Sequence, residues 1–204
     1  WLEHELLSSP DSKGFFCVST SYRQEPNAIP GRHDIIFPMF EFEMPGTIDD
    51  LKEMELELVD YLGFEKPLAK TYTDWQKWYS VEGELEAEHE TQMFNDFTTT
   101  MITDFPEFTS PFWNMSRNSD GTSKKIDVIL GGMETIGSAE RSTDIDQMRD
   151  TFHTITDGAY SNLLFELFGK ERVEAELEEF LKFNFFPRVG GGIGMTRMIA
   201  ALEK

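Results

Sequence analysis

The stretches of this chain that are rich in aromatic and β-branched residues do not alternate one-for-one with helical periods, and that ordering narrows the folds open to it. Residues 14–23 and 34–43 read as strands, separated by a loop at 26–31 that carries two prolines and a glycine. Together they read as an antiparallel hairpin with a long connection. Pro38 inside the second stretch predicts an edge position or a bulge, because proline cannot donate to a ladder. Residues 101–104, 112–115 and 125–130 read as further strands, the last two flanking the turn Asn118-Ser119-Asp120-Gly121. Gly131–Arg141 reads as a glycine-rich segment inside or after the last of these. Helical signals lie elsewhere. Residues 1–8 read as the tail of a helix. Thr47 precedes Asp49 and Asp50 and the spaced apolar residues Leu51, Met54, Leu58, Tyr61 and Leu62, which predicts a capped helix. Residues 84–99, 144–157, 171–182 and 195–202 are further predicted helices, the last introduced by Gly190-Gly191-Gly192, and 65–83 show no clear period. Strands grouped in this way favour α+β, an antiparallel β-sheet flanked by helices, over a doubly wound parallel sheet.

A length of 204 residues suits one domain, residues 1–204, with a full core. The composition, 39% hydrophobic and 27% charged, is that of a globular chain. No apolar run approaches the roughly 20 residues a bilayer span needs, and no basic-then-apolar stretch ahead of a cleavage site is visible, so no signal peptide is expected in the sequence, whose first residue is Trp1 rather than Met. The single cysteine, Cys17, excludes an internal disulfide or a multi-cysteine zinc site and fits a reducing cytoplasm. The net charge of −20 would repel a polyanion over most of the surface, so neither DNA nor a membrane is an expected partner. Any RNA contact would need a local basic patch or a separate domain.

Three stretches carry chemistry. In the first, Arg23-Gln24-Glu25 is followed by Arg32-His33, Phe37 and Glu41. Side chains alternate along a strand, so Arg23 and Glu25 share a face, where a cation and a carboxylate can meet a phosphate and an amine-bearing base. Arg32 and His33 could close over outer phosphates, and Phe37 offers a flat surface for a purine. The plainer reading is a surface ion pair beside a core phenylalanine. In the second, Asp127 lies in an apolar strand, where an unpaired carboxylate is costly to bury, and Glu134 and Arg141 follow at intervals of seven. Two converging carboxylates could hold Mg²⁺ on ATP phosphates, and Arg141 could pair with a substrate carboxylate. Here the plainer reading makes Asp127 a turn cap and Arg141 a partner of Glu140 or Asp144. The third is Gly190-Gly191-Gly192-Ile193-Gly194-Met195-Thr196-Arg197. Glycines admit a ligand close to the backbone, and a following helix presents N–H groups to an anion. The run lacks the Gly-Lys-Ser/Thr of a phosphate-binding loop and the third glycine of a dinucleotide fingerprint.

In this order the three stretches resemble class II aminoacyl-tRNA synthetases of the aspartyl, asparaginyl and lysyl subgroup, over most of residues 15–202. Arg23–Glu43 is similar to that class's motif 2 and Gly192–Leu202 to its motif 3. Residues 126–144 resemble, without a gap, the segment that carries a strand aspartate, a glutamate and an arginine. Thr103-Asp104-Phe105-Pro106 and Pro111-Phe112-Trp113 resemble a sequence upstream of that segment in asparaginyl enzymes. Motif 1 is not recognisable and its place would be upstream of Trp1; an anticodon-binding barrel is not seen either. Gly137 stands where many aspartyl members have serine, Ile36 where motif 2 usually has glutamate, and Thr135 where an aliphatic residue is common.

The resemblance implies that Arg23 contacts the α-phosphate of ATP and Glu25 the adenine, with Phe37 and Arg197 sandwiching the ring. It places Arg32 and His33 at the outer phosphates, Gly194 at the nucleotide, Asp127 and Glu134 on Mg²⁺, and Arg141 at the side chain of aspartate or asparagine. Arg23 and Arg197 would be the catalytic residues. The activity implied is adenylation of aspartate or asparagine, with tRNA or ammonia as the final acceptor, in a cytoplasmic homodimer. The ammonia alternative corresponds to the free-standing asparagine synthetases, which the Gly-Gly-Gly-Ile-Gly run also resembles. A regulatory paralogue is disfavoured because Arg23, Glu134 and Arg197 are all present.

Overall fold

The structure is a computed structural model, and it describes residues 1–23 and 28–204. In chain order the elements are α1 (Leu2–Ser8), β1 (Phe15–Tyr22), β2 (Ile36–Pro45), α2 (Ile48–Tyr61), β3 (Leu68–Thr71), α3 (Tyr72–Tyr79), α4 (Ala87–Phe97), β4 (Thr99–Phe105), β5 (Ser123–Leu130), β6 (Met133–Arg141), α5 (Ile145–Thr154), α6 (Ala159–Phe168), α7 (Lys170–Phe180), β7 (Arg188–Gly194) and α8 (Met195–Leu202). The strands form a sheet in the order β1-β2-β7-β6-β5-β4-β3. Every neighbouring pair is antiparallel except β3 with β4. This is the α+β architecture the sequence predicts.

The central strands carry the folding chemistry. Ile126, Val128, Leu130, Ile136, Val189 and Ile193 are buried beneath α2 and α8, which supply Leu51, Val59, Met198 and Ala201. A second cluster packs Trp113 against Met148, Phe152, Val173 and Leu177 in the helical layer of α5–α7. A third seats Trp75 of α3 and Met93 of α4 against β4 and β5, with the Trp75 indole N–H donating to the Met101 carbonyl at 3.1 Å. At the start of α2 Thr47 is the N-cap, as predicted, and the Asp50 carboxylate accepts its N–H at 2.8 Å, closing a capping box. No helix among the described residues is long and apolar enough to cross a membrane.

Several expectations change. Strand β2 is internal, but its ladder with β7 begins only at Met39. Pro38 therefore has a strand on one side alone, opposite Thr20 of β1, and its missing N–H costs no bond there. The Gly190-Gly191-Gly192 run, expected only to introduce the last helix, is the middle of β7, paired on both sides. Likewise Met133–Arg141 is a full strand. Residues 112–115 form a turn rather than a strand: Met115 N–H donates to Phe112 O at 3.1 Å, leaving one isolated bridge from Met115 to Arg141. Trp113 is instead drawn into the helical cluster. The unperiodic 65–83 segment holds β3 and α3, and α6 lies where no helix is expected, because its helical signal is apolar nearly all round rather than amphipathic.

Candidate functional site

Strand alternation divides the sheet into two faces at residues 137 and 138. The Ser138 hydroxyl points under the sheet, donating to the Glu55 carboxylate of α2 at 2.5 Å. Gly137 faces the other way, onto a cavity of about 190 Å³. That cavity is lined by Arg23, Arg32, Phe37, Glu134, Gly194 and Arg197, together with Asp34, Met39 and Thr196. Residues more than 170 positions apart thus reach one cavity because β2, β7 and β6 are neighbours in the sheet.

Within it, the Arg23 guanidinium lies 5.1 Å from the centre of the Phe37 ring, a cation–π arrangement. Arg197, in the first turn of α8, donates to the Glu134 carbonyl at 2.6 Å and to the Arg32 carbonyl at 3.3 Å. Its guanidinium is also 3.9 Å from the Glu134 carboxylate. Burial pulls the Arg197 pKa below its ordinary value, with Glu134 opposing. Arg23, Arg32 and Arg197 concentrate positive charge at one place on a chain of net charge −20. A polyphosphate fits that distribution.

Asp127 is not in the lining itself but pairs with Gly137 across the β5–β6 ladder, on the same face of the sheet. It is buried, and its Oδ2 accepts from the Lys125 ammonium at 2.5 Å. Burial pushes its carboxyl up to about 7, partly countered by Lys125. Its Oδ1 has no hydrogen-bond partner among the described residues. A side chain at position 137 would meet Glu134 Oε1 at 2.5 Å and Asp127 Oδ1 at 3.5 Å, so the two carboxylates flank one glycine-sized space. An orphaned carboxylate oxygen beside a second carboxylate fits Mg²⁺, which is commonly held by one or two carboxylates plus substrate phosphates. Among the described residues no group of three or more potential metal-binding side chains occurs, so the remaining ligands would have to be phosphates and water.

Arg141 lines a second cavity of about 450 Å³ that shares Met39, Gly137 and Gly192 with the first. It is paired not with Glu140 or Asp144 but with the buried Glu43 of β2, its Nε donating at 2.9 Å. Burial raises the Glu43 pKa, and Arg141 opposes the rise. Glu41, two residues back on the same face, accepts from Ser19 at 2.5 Å and lines the same cavity. Glu140 is used elsewhere: it accepts the Ile48 N–H at 2.7 Å and a Lys124 bond at 2.7 Å, anchoring the N-terminus of α2.

His33 is not brought into the lining; its Nδ1 accepts the Ile29 N–H at 3.3 Å within its own turn. Glu25 lies outside the described residues. Three residues at the site escape the sequence reading. Lys125 was legible, since strand alternation puts residues 125 and 127 on one face. Glu43 stands two residues beyond Glu41 and shares that legibility. Glu90 was not legible, because nothing distinguishes it from the other acids of α4.

The family described as tRNA synthetases class II (D, K and N) matches residues 4–204. The chain belongs to that family, which is one of ligases. No curated protein sequence matches it. Among solved structures it is similar to an asparaginyl-tRNA synthetase from Pyrococcus horikoshii complexed with asparaginyl-adenylate, with a TM-score of 0.78 and 18% identity over 98% of this chain and 51% of that one. An asparaginyl-tRNA synthetase from Entamoeba histolytica, also with asparaginyl-adenylate, gives a TM-score of 0.78 and 18% identity over 100% of this chain and 53% of that one. The aspartyl-tRNA synthetase of the same organism gives 0.74 and 18% over 99% and 48%. These likenesses show the fold. The chain spans about half the length of these structures.

Proposed function

We propose that residues 1–204 form a catalytic domain that activates aspartate or asparagine with ATP, as an asparaginyl- or aspartyl-tRNA synthetase does. The observation that carries this reading is the convergence of Arg23, Arg32, Glu134 and Arg197 on one cavity that adjoins the Arg141 cavity. In the proposed reaction a carboxylate oxygen of the amino acid attacks the α-phosphorus of ATP. The P–O bond to the β-phosphate breaks, giving an acyl-adenylate and pyrophosphate. No protein nucleophile is needed. Arg23 holds the α-phosphate, Arg32 and Arg197 hold the outer phosphates, and Phe37 stacks with the adenine, so positioning and charge neutralisation supply the rate. Asp127 and Glu134 would hold Mg²⁺, which supplies further charge neutralisation on the phosphates. Gly194 leaves room at the nucleotide, and Glu25 and His33 keep their family-implied parts at the adenine and outer phosphates as proposals. Arg141 would read the amino-acid side chain.

Pyrophosphate exchange into ATP, screened over aspartate, asparagine and lysine, tests the reading. Exchange with lysine alone, or with none of the three, would overturn it. A second reading makes ammonia rather than tRNA the acceptor, giving asparagine from aspartate. The net charge of −20 favours it, because a tRNA meets repulsion from most of the surface. Offering ammonia and then tRNA to the preformed adenylate separates the two. A cytoplasmic homodimer belongs to the same proposal. Its support is β1, an outer strand of the sheet with Phe16, Val18 and Tyr22 exposed, and sedimentation as a monomer would remove it.

A further inference from the structure

Helix α4 adds no side chain to the lining of the nucleotide cavity, yet one of its acids is tied to it from behind. Glu90 Oε2 accepts the backbone N–H of Glu134 at 2.9 Å and is ion-paired with the Arg32 guanidinium. The other end of that guanidinium donates to the Gly132 carbonyl at 2.8 Å. Arg197 joins the same partners from the front, through the carbonyls of Glu134 and Arg32. Neither partner of the ion pair is free to wander: the Glu90 side chain is 20% exposed and that of Arg32 13%. One carboxylate oxygen therefore links a loop residue to the start of β6, across the place where the outer phosphates would lie. Arg32 has five N–H donors and spends one from each terminal nitrogen on these bonds, so others remain for a phosphate.

We propose that Glu90 is a positioning residue for the nucleotide: it presents Arg32 and the Glu134 main chain in the geometry that receives the outer phosphates of ATP. This rests on the functional reading above. Without the carboxylate, Arg32 loses its ion-pair anchor and the Glu134 N–H loses its acceptor, so the nucleotide must order both on arrival.

The test is calorimetric titration of the chain with Mg-ATP, alongside pyrophosphate exchange, for wild type, Glu90→Ala, Glu90→Gln, Arg32→Ala and the Arg32→Ala/Glu90→Ala double variant. Glu90→Ala is expected to weaken ATP binding by about tenfold or more, leaving the KM for the amino acid unchanged. Glu90→Gln, which keeps an acceptor oxygen of the same shape, restores part of the loss. The double variant loses less than the product of the two single losses, because the Arg32–Glu90 share of the effect is already gone once either residue is removed. Wild-type affinity in Glu90→Ala overturns the proposal. So do losses that multiply in the double variant, or equal rises in both KM values. If Glu90→Ala does not fold, Glu90→Gln carries the test, and wild-type ATP affinity in that variant together with Arg32→Ala losing nothing overturns it. A wild-type chain that binds ATP but exchanges pyrophosphate with no amino acid sinks the functional reading, while the binding series still decides Glu90. A wild-type chain that does not bind ATP sinks both.

Discussion

Gly190 of β7 lies directly beneath the Glu43 carboxylate: a Cβ built there would fall 2.1 Å from Glu43 Cδ. The two residues are paired across the β2–β7 ladder, and Glu43 in turn holds Arg141. The middle glycine of the run has an equally plain reason, since a Cβ at Gly191 would stand 2.6 Å from Ser138 Cβ. These glycines are thus required by side chains of neighbouring strands. The glycine-rich run keeps β7 thin, so that Glu43 and Arg141 can meet above it.

Gly190→Ala is accordingly expected to displace Glu43 and destabilise the chain by about 1–3 kcal/mol. Because Arg141 loses its anchor, the KM for the amino acid should rise while that for ATP changes little. Urea denaturation and exchange kinetics check both parts, and an unchanged denaturation midpoint counts against the contact.

Arg141→Ala leaves a buried carboxylate without its cation and is expected to cost about 3 kcal/mol of stability. The Arg141→Ala/Glu43→Gln double variant should recover most of that stability without recovering exchange. Recovery of exchange would mean that Arg141 does not contact the amino acid.

Arg197→Ala should lower exchange by about 100-fold or more, with the circular dichroism spectrum and melting temperature close to wild type. Arg197 is half-buried at the edge of the cavity rather than in the core, and its hydrogen bonds run to carbonyls that water can satisfy. Undiminished exchange would remove it from the mechanism.

Glu55 is fully buried, Ser138 is its one donor among the described residues, and burial pushes its carboxyl from 4.5 up to about 8. Between those pH values the folded chain keeps a proton that the unfolded chain has released. Stability therefore falls as pH rises across that window, by up to about 1.4 kcal/mol per pH unit. Glu55→Gln retains an acceptor for Ser138 and has no proton to lose, so its stability relative to wild type should grow from pH 5.5 to pH 8. Parallel pH dependences in chemical denaturation would show that Glu55 ionises normally.

The lining of the candidate site was largely legible in the sequence. Arg23, Arg32, Phe37, Glu134, Gly194 and Arg197 carry the chemistry that a nucleotide requires, and all six line one cavity. Strand patterning also foretold the grouped antiparallel strands, because alternation along a strand is a local property. Local patterns failed where distant partners decide. The 112–115 stretch has strand composition, yet Trp113 is worth more inside the α5–α7 cluster than on a sheet edge. Triple glycine gives no strand signal until Glu43, Ser138 and Met39 are known to lie across it.

By itself, then, the sequence determined which residue types are present and the local periods that turn them into strands and capped helices. Tertiary structure decided their pairing. It set Arg141 on Glu43 rather than on its chain neighbours. It also brought Glu90 from an undistinguished polar helix to the back of Arg32. An ion pair depends on distance in space and on exclusion of water, and both arise only when strands far apart in the chain become neighbours in the sheet.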